Sequence, residues 1–161
     1  VVNSFSKYFG MTGWRLGWMV LPEAAIEPIN VMAQNFYISP PSIAQYAALA
    51  AFQPVVIDEL EARRNEFRRR RDFLVPALRE LGFDIPFAPA GAFYIYAGIA
   101  GLADDCEAFC WDMLERAGVA FTPGTDFGSH LARQRVRFSY TEPLERLELA
   151  VSRLRTALAA R

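Results

Sequence analysis

The sequence predicts an α/β protein built in two parts that are joined by one long helix. Three features carry that reading. Short apolar runs at 1–5 and 16–21 read as strands, the stretch from Val55 to Leu81 reads as a single helical repeat, and beyond Gly82 strand and helix patterns alternate to the C-terminus. The 161 residues are 53% hydrophobic, enough for a sizeable core. A formal net charge of -1 gives no general attraction to nucleic acid or to an anionic membrane. No apolar run approaches the roughly 18 to 20 residues that span a bilayer, and the N-terminus has no basic stretch followed by an apolar signal core. A cytoplasmic protein is the default expectation.

Val1 to Phe5 reads as the end of a buried strand and Leu16 to Leu21 as a second short strand that Pro22 ends. From Glu23 a helical pattern through Ile26, Ile29, Val31, Met32 and Phe36 runs to Tyr37, where the Ser39-Pro40-Pro41-Ser42 cluster breaks it. An alanine-rich helix starts near Ser42 and continues through Phe52; its small side chains favour close packing. Pro54 either interrupts it or opens the next element. In the long helix Leu60, Phe67, Leu74, Leu78 and Leu81 recur at core-facing spacing, Pro76 is an internal defect that bends or splits it, and Gly82 is its stop. The basic run, Arg63-Arg64 and Arg68-Arg69-Arg70-Arg71, is interspersed with Glu59, Glu61, Glu66, Asp72 and Glu80 at pairing distances, so it reads as a solvated helix face rather than a nucleic-acid surface.

Beyond Gly82 the pattern gives a strand near Ala92 to Ala97, a helix near Ala103 to Ala117, strands near Val119 to Thr122 and Arg135 to Tyr140, and a helix from Pro143 to Ala159. Leu144, Leu147, Val151, Leu154 and Leu158 form the stripe of that last helix. Cys106 and Cys110 stand four apart on an apolar helix face and read as reduced core residues. A metal site has no support from one histidine, His130, which follows Gly128-Ser129 in a turn and reads as an exposed loop imidazole. Trp14, Trp18 and Phe36 read as core packing rather than as an aromatic pocket.

The most informative stretch is Ser4-Phe5-Ser6-Lys7-Tyr8-Phe9-Gly10-Met11-Thr12-Gly13-Trp14-Arg15-Leu16-Gly17, in which Lys7 stands eight residues before Arg15 inside a glycine-punctuated frame. It resembles the cofactor-lysine motif of class I/II aminotransferases, with Ser4, Lys7, Gly10, Gly13, Arg15 and Gly17 all at matching positions. The resemblance implies that Lys7 holds pyridoxal 5'-phosphate (PLP) as a Schiff base and later moves a proton on the substrate as a general base, while Ser4 and Arg15 hold the cofactor's phosphate. The residue types suit these roles. An amine reacts with an aldehyde only when unprotonated, and nearby positive charge helps it lose its proton. A planar guanidinium donates two parallel hydrogen bonds to a phosphate.

The likeness continues through Pro89-Ala90-Gly91-Ala92-Phe93-Tyr94, which resembles the segment bordering the substrate entrance, and through Thr122-Pro123-Gly124 to Phe127-Gly128. The triplet Arg137-Phe138-Ser139 is similar to the family position whose arginine binds the substrate α-carboxylate, with Arg135 on the same strand face as the competing assignment. By resemblance the chain is the C-terminal portion of a fold-type I PLP transferase. Residues 1–54 are then a remnant of a truncated large PLP-binding domain, 55–82 the interdomain helix and 83–161 the small domain. The implied activity is transfer of an amino group between an amino acid and a 2-oxo acid by a protein that is a homodimer at full length. The isolated chain is expected to be poorly active, because the family's other cofactor contacts come from the first half of its polypeptide. A PLP lyase, the aminotransferase-like effector domain of a transcription regulator, and an inactive remnant are the alternatives. Gln34 to Pro41 contains no Lys or Arg, which argues against one mode of reading a second substrate carboxylate and leaves neutral and aromatic substrates open.

Overall fold

Prolines punctuate the first third of the molecule in the computed structural model, which describes residues 1–160. Strand β1 (Val2–Ser4) pairs antiparallel with β2 (Gly17–Met19), Ser4 lying opposite Gly17. Pro22 directly precedes α1 (Glu23–Tyr37), and Pro41 directly precedes α2 (Ser42–Ala50). Pro54 is the first residue of α3 (Pro54–Glu80), a position where its missing N–H leaves no helical bond unmade. Pro54 therefore opens a helix rather than interrupting one. Two compact units, Val1–Arg64 and Asn65–Arg161, divide the chain inside α3.

In the first unit Phe5, Met11, Ala48 and Ala51 form a small buried cluster, with Phe9 and Trp18 against it. The Phe5 ring lies 4.9 Å from Phe9 and 4.8 Å from Trp18, and the alanines of α2 keep this face flat enough for such large rings. Two expectations are corrected here. Strand β1 is exposed along its whole length instead of buried, because a two-stranded ribbon has no further strand or layer to cover it. Trp14 and Phe36 are exposed as well, the first on a 3-10 turn and the second near the end of α1, which has no fully buried residue. Trp18 alone of the three packs on the cluster.

The second unit is built on a three-stranded antiparallel sheet in the order β3 (Tyr94–Gly98), β5 (Arg135–Ser139), β4 (Thr122–Pro123). Helices α4 (Cys106–Ala117) and α5 (Leu144–Ala159) and the second half of α3 contribute to its core. Ile95, Ala97, Val136 and Phe138 point from the sheet into that core, with Met113, Leu154 and Leu78 supplied by the helices. Strand β4 is shorter than the predicted 119–122 run, since Val119 and Phe121 pack on the core while only Thr122 and Pro123 pair with β5. Helix α3 continues through Pro76 without splitting, with Leu74, Val75 and Leu78 buried around it, and Gly82 ends it at a left-handed φ of 94°. Asp105 caps α4 by accepting from the N–H groups of Glu107 and Ala108 at 3.0 Å.

The arginine run pairs along α3 as its spacing predicts: Arg63 with Glu59, Arg64 with Glu61, Arg69 and Arg70 with Glu66. It is not wholly solvated, however. Arg70 donates to the Thr141 carbonyl at 2.6 Å and Arg71 to the Pro89 carbonyl at 3.1 Å, so these two bind loops of the second unit to the helix.

Between β4 and β5 a 3-10 turn (Gly124–Phe127) presses against the sheet. A Cβ on Gly124 would meet the Ala132 carbonyl oxygen at 2.3 Å and the Arg135 carbonyl oxygen at 2.7 Å, backbone atoms that cannot swing aside. Thr125 Oγ1 donates to Glu107 of α4 at 2.8 Å and fixes the turn from its other side. Gly124→Ala is expected to lower the unfolding free energy by about 2 to 3 kcal/mol, read from a denaturant midpoint; an unchanged midpoint would contradict this packing.

Cys106 and Cys110 are free and buried, and burial pushes the Cys110 thiol up to about 12. At a pH of about 8 roughly one Cys110 thiol in ten thousand is then ionised. Ellman's reagent is expected to label neither cysteine in the native protein and both in denaturing guanidinium; rapid labelling of the native protein would contradict the assignment of α4.

Candidate active site

The loop between β1 and β2 is closed at its base by the ladder and by the Phe5 N–H, which donates to the Leu16 carbonyl at 3.1 Å. That closure holds Ser4 and Arg15 at one end of the loop, each adjacent in sequence to a residue of that hydrogen bond. Ser4 Oγ accepts from the Ser6 N–H at 3.0 Å and donates to Ser6 Oγ at 2.9 Å, a local turn that leads the chain into Lys7. The Lys7 carbonyl accepts from the Gly10 N–H at 3.0 Å, Gly10 taking a left-handed φ of 65°. Thr12 Oγ1 donates to the Ser6 carbonyl at 2.6 Å and ties the two sides of the loop together.

Arg15 sits at φ 52°, ψ 50°, a left-handed conformation that costs a residue with a Cβ roughly 1 to 2 kcal/mol. Its Nη1 donates to the Thr12 carbonyl at 2.8 Å. Gly17 is required where β2 begins, because a Cβ there would meet the Asn3 carbonyl oxygen at 2.7 Å. Ser4, Lys7 and Arg15 are all exposed, so an amine, a hydroxyl and a guanidinium stand at the surface of one braced loop. Lys7 is also the only lysine of the chain, among 17 basic residues. Beside it, the Tyr8 hydroxyl donates to Glu61 at 2.6 Å, and that hydrogen bond to a carboxylate raises the phenol above its ordinary value.

Arg137 belongs to the second unit. It projects from the face of β5 opposite Val136 and Phe138 and borders an open cavity of about 630 Å³ lined by Tyr94, Tyr96, Phe127 and His130 among others. Its guanidinium carbon lies 4.1 Å from the centroid of the Tyr94 ring and 4.1 Å from that of Phe127. Its guanidinium makes no hydrogen bond or ion pair with a described residue; the strand pairing of Arg137 uses its backbone alone. The competing Arg135 stacks more loosely, 5.8 Å over Tyr96, and does not line the cavity. The segments 89–94 and 124–128, singled out in the sequence, supply Pro89, Tyr94, Phe127 and Gly128 to the same cavity. His130 is exposed on its rim, as its turn context predicts. Sequence reading had no way to single out Tyr94 and Phe127 as partners of Arg137, since they are 43 and 10 residues away and only the strand register and the 3-10 turn unite them. No group of three or more potential metal ligands occurs among the described residues.

The donor set of the first loop fits PLP: one primary amine for its carbonyl carbon, and a guanidinium and a hydroxyl for its phosphate, on a backbone braced by Gly10 and Gly17.

Comparison with known proteins identifies the family. The family described as "Aminotransferase class I and II" matches residues 1–154. The chain is 39% identical over 154 residues to the valine–pyruvate aminotransferase of Mycobacterium tuberculosis, covering 96% of this chain and 40% of that protein. It is 35% identical to the (5-formylfuran-3-yl)methyl phosphate transaminase of Methanocaldococcus jannaschii, covering 98% of this chain and 41% of that protein. A crystal structure of an aminotransferase from Mycobacterium tuberculosis superposes with a TM-score of 0.94 at 39% identity, over 100% of this chain and 42% of that one. The chain thus spans about 40% of the length of the curated relatives it matches. With both the sequence match and the superposition running through the lysine loop and the arginine strand, the chain belongs to the class I and II aminotransferase family.

Proposed function

We propose that this chain carries the cofactor lysine and the substrate-carboxylate arginine of a PLP-dependent aminotransferase that passes an amino group from an amino acid to a 2-oxo acid. The observation that carries the reading is the braced loop, in which Ser4, Lys7 and Arg15 offer complementary groups for the two ends of one cofactor. Lys7 Nζ would hold the cofactor, and Ser4 Oγ and the Arg15 guanidinium would hold its phosphate. When bound, PLP supplies an electron-withdrawing ring that drains charge from the substrate's α-carbon. Lys7 Nζ would serve as the general base that takes the proton from the substrate's α-carbon. The Arg137 guanidinium would accept the substrate α-carboxylate bidentately, fixing which bond at the α-carbon is presented for cleavage.

Cavity chemistry favours a substrate with an uncharged side chain. Arg137 and His130 are the only basic side chains among its lining residues, the remainder being mostly aromatic or small. The name of one relative, a valine–pyruvate aminotransferase, agrees with a neutral pair of substrates. We place the protein in the cytoplasm as a homodimer at full length; no helix among the described residues is long and apolar enough to cross a membrane.

The test is amino-group transfer by the full-length protein with a panel of neutral amino acids and 2-oxo acids. Amino acid should be consumed beyond one equivalent only when a 2-oxo acid is present; sustained release of ammonia without an acceptor would point to a lyase instead. Lys7→Ala is expected to lower kcat by about a thousandfold or more, and Arg137→Ala to lower kcat/KM by about a hundredfold. Retention of wild-type rates by either variant would contradict the assignment. The 161-residue chain alone is expected to show no turnover.

A further inference from the structure

An arginine that must meet a carboxylate edge-on has two requirements: its planar group has to be oriented, and its N–H donors have to be left uncommitted. Protein carboxylates and carbonyls satisfy the first only by violating the second. The second unit contains both solutions. Arg70 and Arg71, half-buried like Arg137, are oriented by hydrogen bonds, Arg70 to Glu66 and the Thr141 carbonyl, Arg71 to Asp72 and the Pro89 carbonyl. Among the described residues the Arg137 guanidinium is held between two rings, each centroid 4.1 Å from its central carbon, and none of them accepts a hydrogen bond from its edge.

We propose that Tyr94 and Phe127 are positioning residues for Arg137, holding its guanidinium through its faces so that its hydrogen-bonding edge stays available to the substrate carboxylate. The proposal rests on reading Arg137 as the carboxylate ligand. Stacking on aromatic faces engages the cation without consuming a donor, and an arginine held in place before binding loses less side-chain freedom when the ligand arrives.

Both rings are themselves fixed by backbone that leaves them little choice. In the β3–β5 register Arg137 lies opposite Tyr96 and Tyr94 lies opposite Ser139, which sets Tyr94 diagonally across from Arg137 on the same sheet face, a distance that aromatic and long side chains bridge. The Phe93 ring lies 4.2 Å from that of Tyr94. Phe127 ends the 3-10 turn that Gly124 allows to approach the sheet, and Tyr96 meets its ring edge-on at 6.4 Å and 88°. The turn between β4 and β5 thus supplies one wall of the arginine's seat and the strand β3 the other. Neither residue touches the reacting atoms in this scheme; both act through Arg137.

The test compares ring removal with ring retention in the full-length protein. Phe127→Leu and Tyr94→Leu keep apolar bulk but remove the π face, whereas Phe127→Tyr and Tyr94→Phe keep it. Phe127 is 47% exposed, so its replacement does not threaten the core. Two quantities are read: the Kd of propionate, an unreactive monocarboxylate, by calorimetry, and KM against kcat for the best amino acid of the panel. Each Leu variant is expected to raise the propionate Kd and the KM by about five- to tenfold, with kcat within about twofold of wild type, and each aromatic variant to stay near wild type. Arg137→Lys separates the two layers of the argument. If Arg137→Lys binds propionate as wild type does, the carboxylate assignment itself falls. If Arg137→Lys loses binding while the Leu variants keep it, or if the aromatic variants fail as badly as the Leu ones, the positioning role is overturned and the assignment stands.

Discussion

Strand β5 sends Val136 and Phe138 to one side and Arg135 and Arg137 to the other, and the second unit depends on that alternation. The apolar pair is sealed against α4, α5 and the end of α3, which makes the register of β5 expensive to change: a slip of one residue would put two guanidinium groups into the core. Burial on one face therefore fixes, to within the pleat of a strand, where Arg137 stands on the other. The turn before β5 adds to the constraint, since Gly124 lets it sit so close to the backbone of residues 132 and 135 that no other residue type fits.

The first unit solves a related problem with less core. Its buried cluster is small, and its strands pair only with each other. Order in the lysine loop comes from hydrogen bonds and turn chemistry instead: Phe5 to Leu16, Thr12 to Ser6, Ser6 to Ser4, and left-handed backbone at Gly10 and at Arg15. Arg15 adopts that conformation despite its Cβ, a cost of the kind that concentrates where a side chain has to be aimed. Many apolar side chains of this unit are exposed, Phe36, Ile43 and Tyr46 among them, in keeping with a chain that spans about 40% of the length of its curated relatives.

Most of this architecture was legible in the sequence because local signals and burial agree. Helices α1, α2, α4 and α5 begin at or beside Pro22, Pro41, Asp105 and Pro143, and α3 stops before Gly82, all signals that act within a few residues. What the sequence misjudged depends on partners far along the chain. Val2 and Phe36 look like core residues by type, but burial requires an opposing surface, and none of their own unit covers them. The arginine run reads as one solvated face, yet Arg70 and Arg71 reach carbonyls at 141 and 89, contacts that no local pattern encodes. For the site, glycine spacing and the Lys7–Arg15 interval marked the loop, and the strand triplet marked Arg137. The two rings that seat Arg137 became visible only with the β3–β5 register.

The central claim is that Lys7 is the residue that holds the cofactor, and chemical trapping tests it most directly. The full-length protein is incubated with PLP, reduced with borohydride and digested, and the modified peptide is identified by mass spectrometry beside a Lys7→Ala control. The account predicts one dominant label on the peptide containing Lys7 and its absence in the control. A label on another lysine, or on the control as strongly as on the wild type, would contradict it.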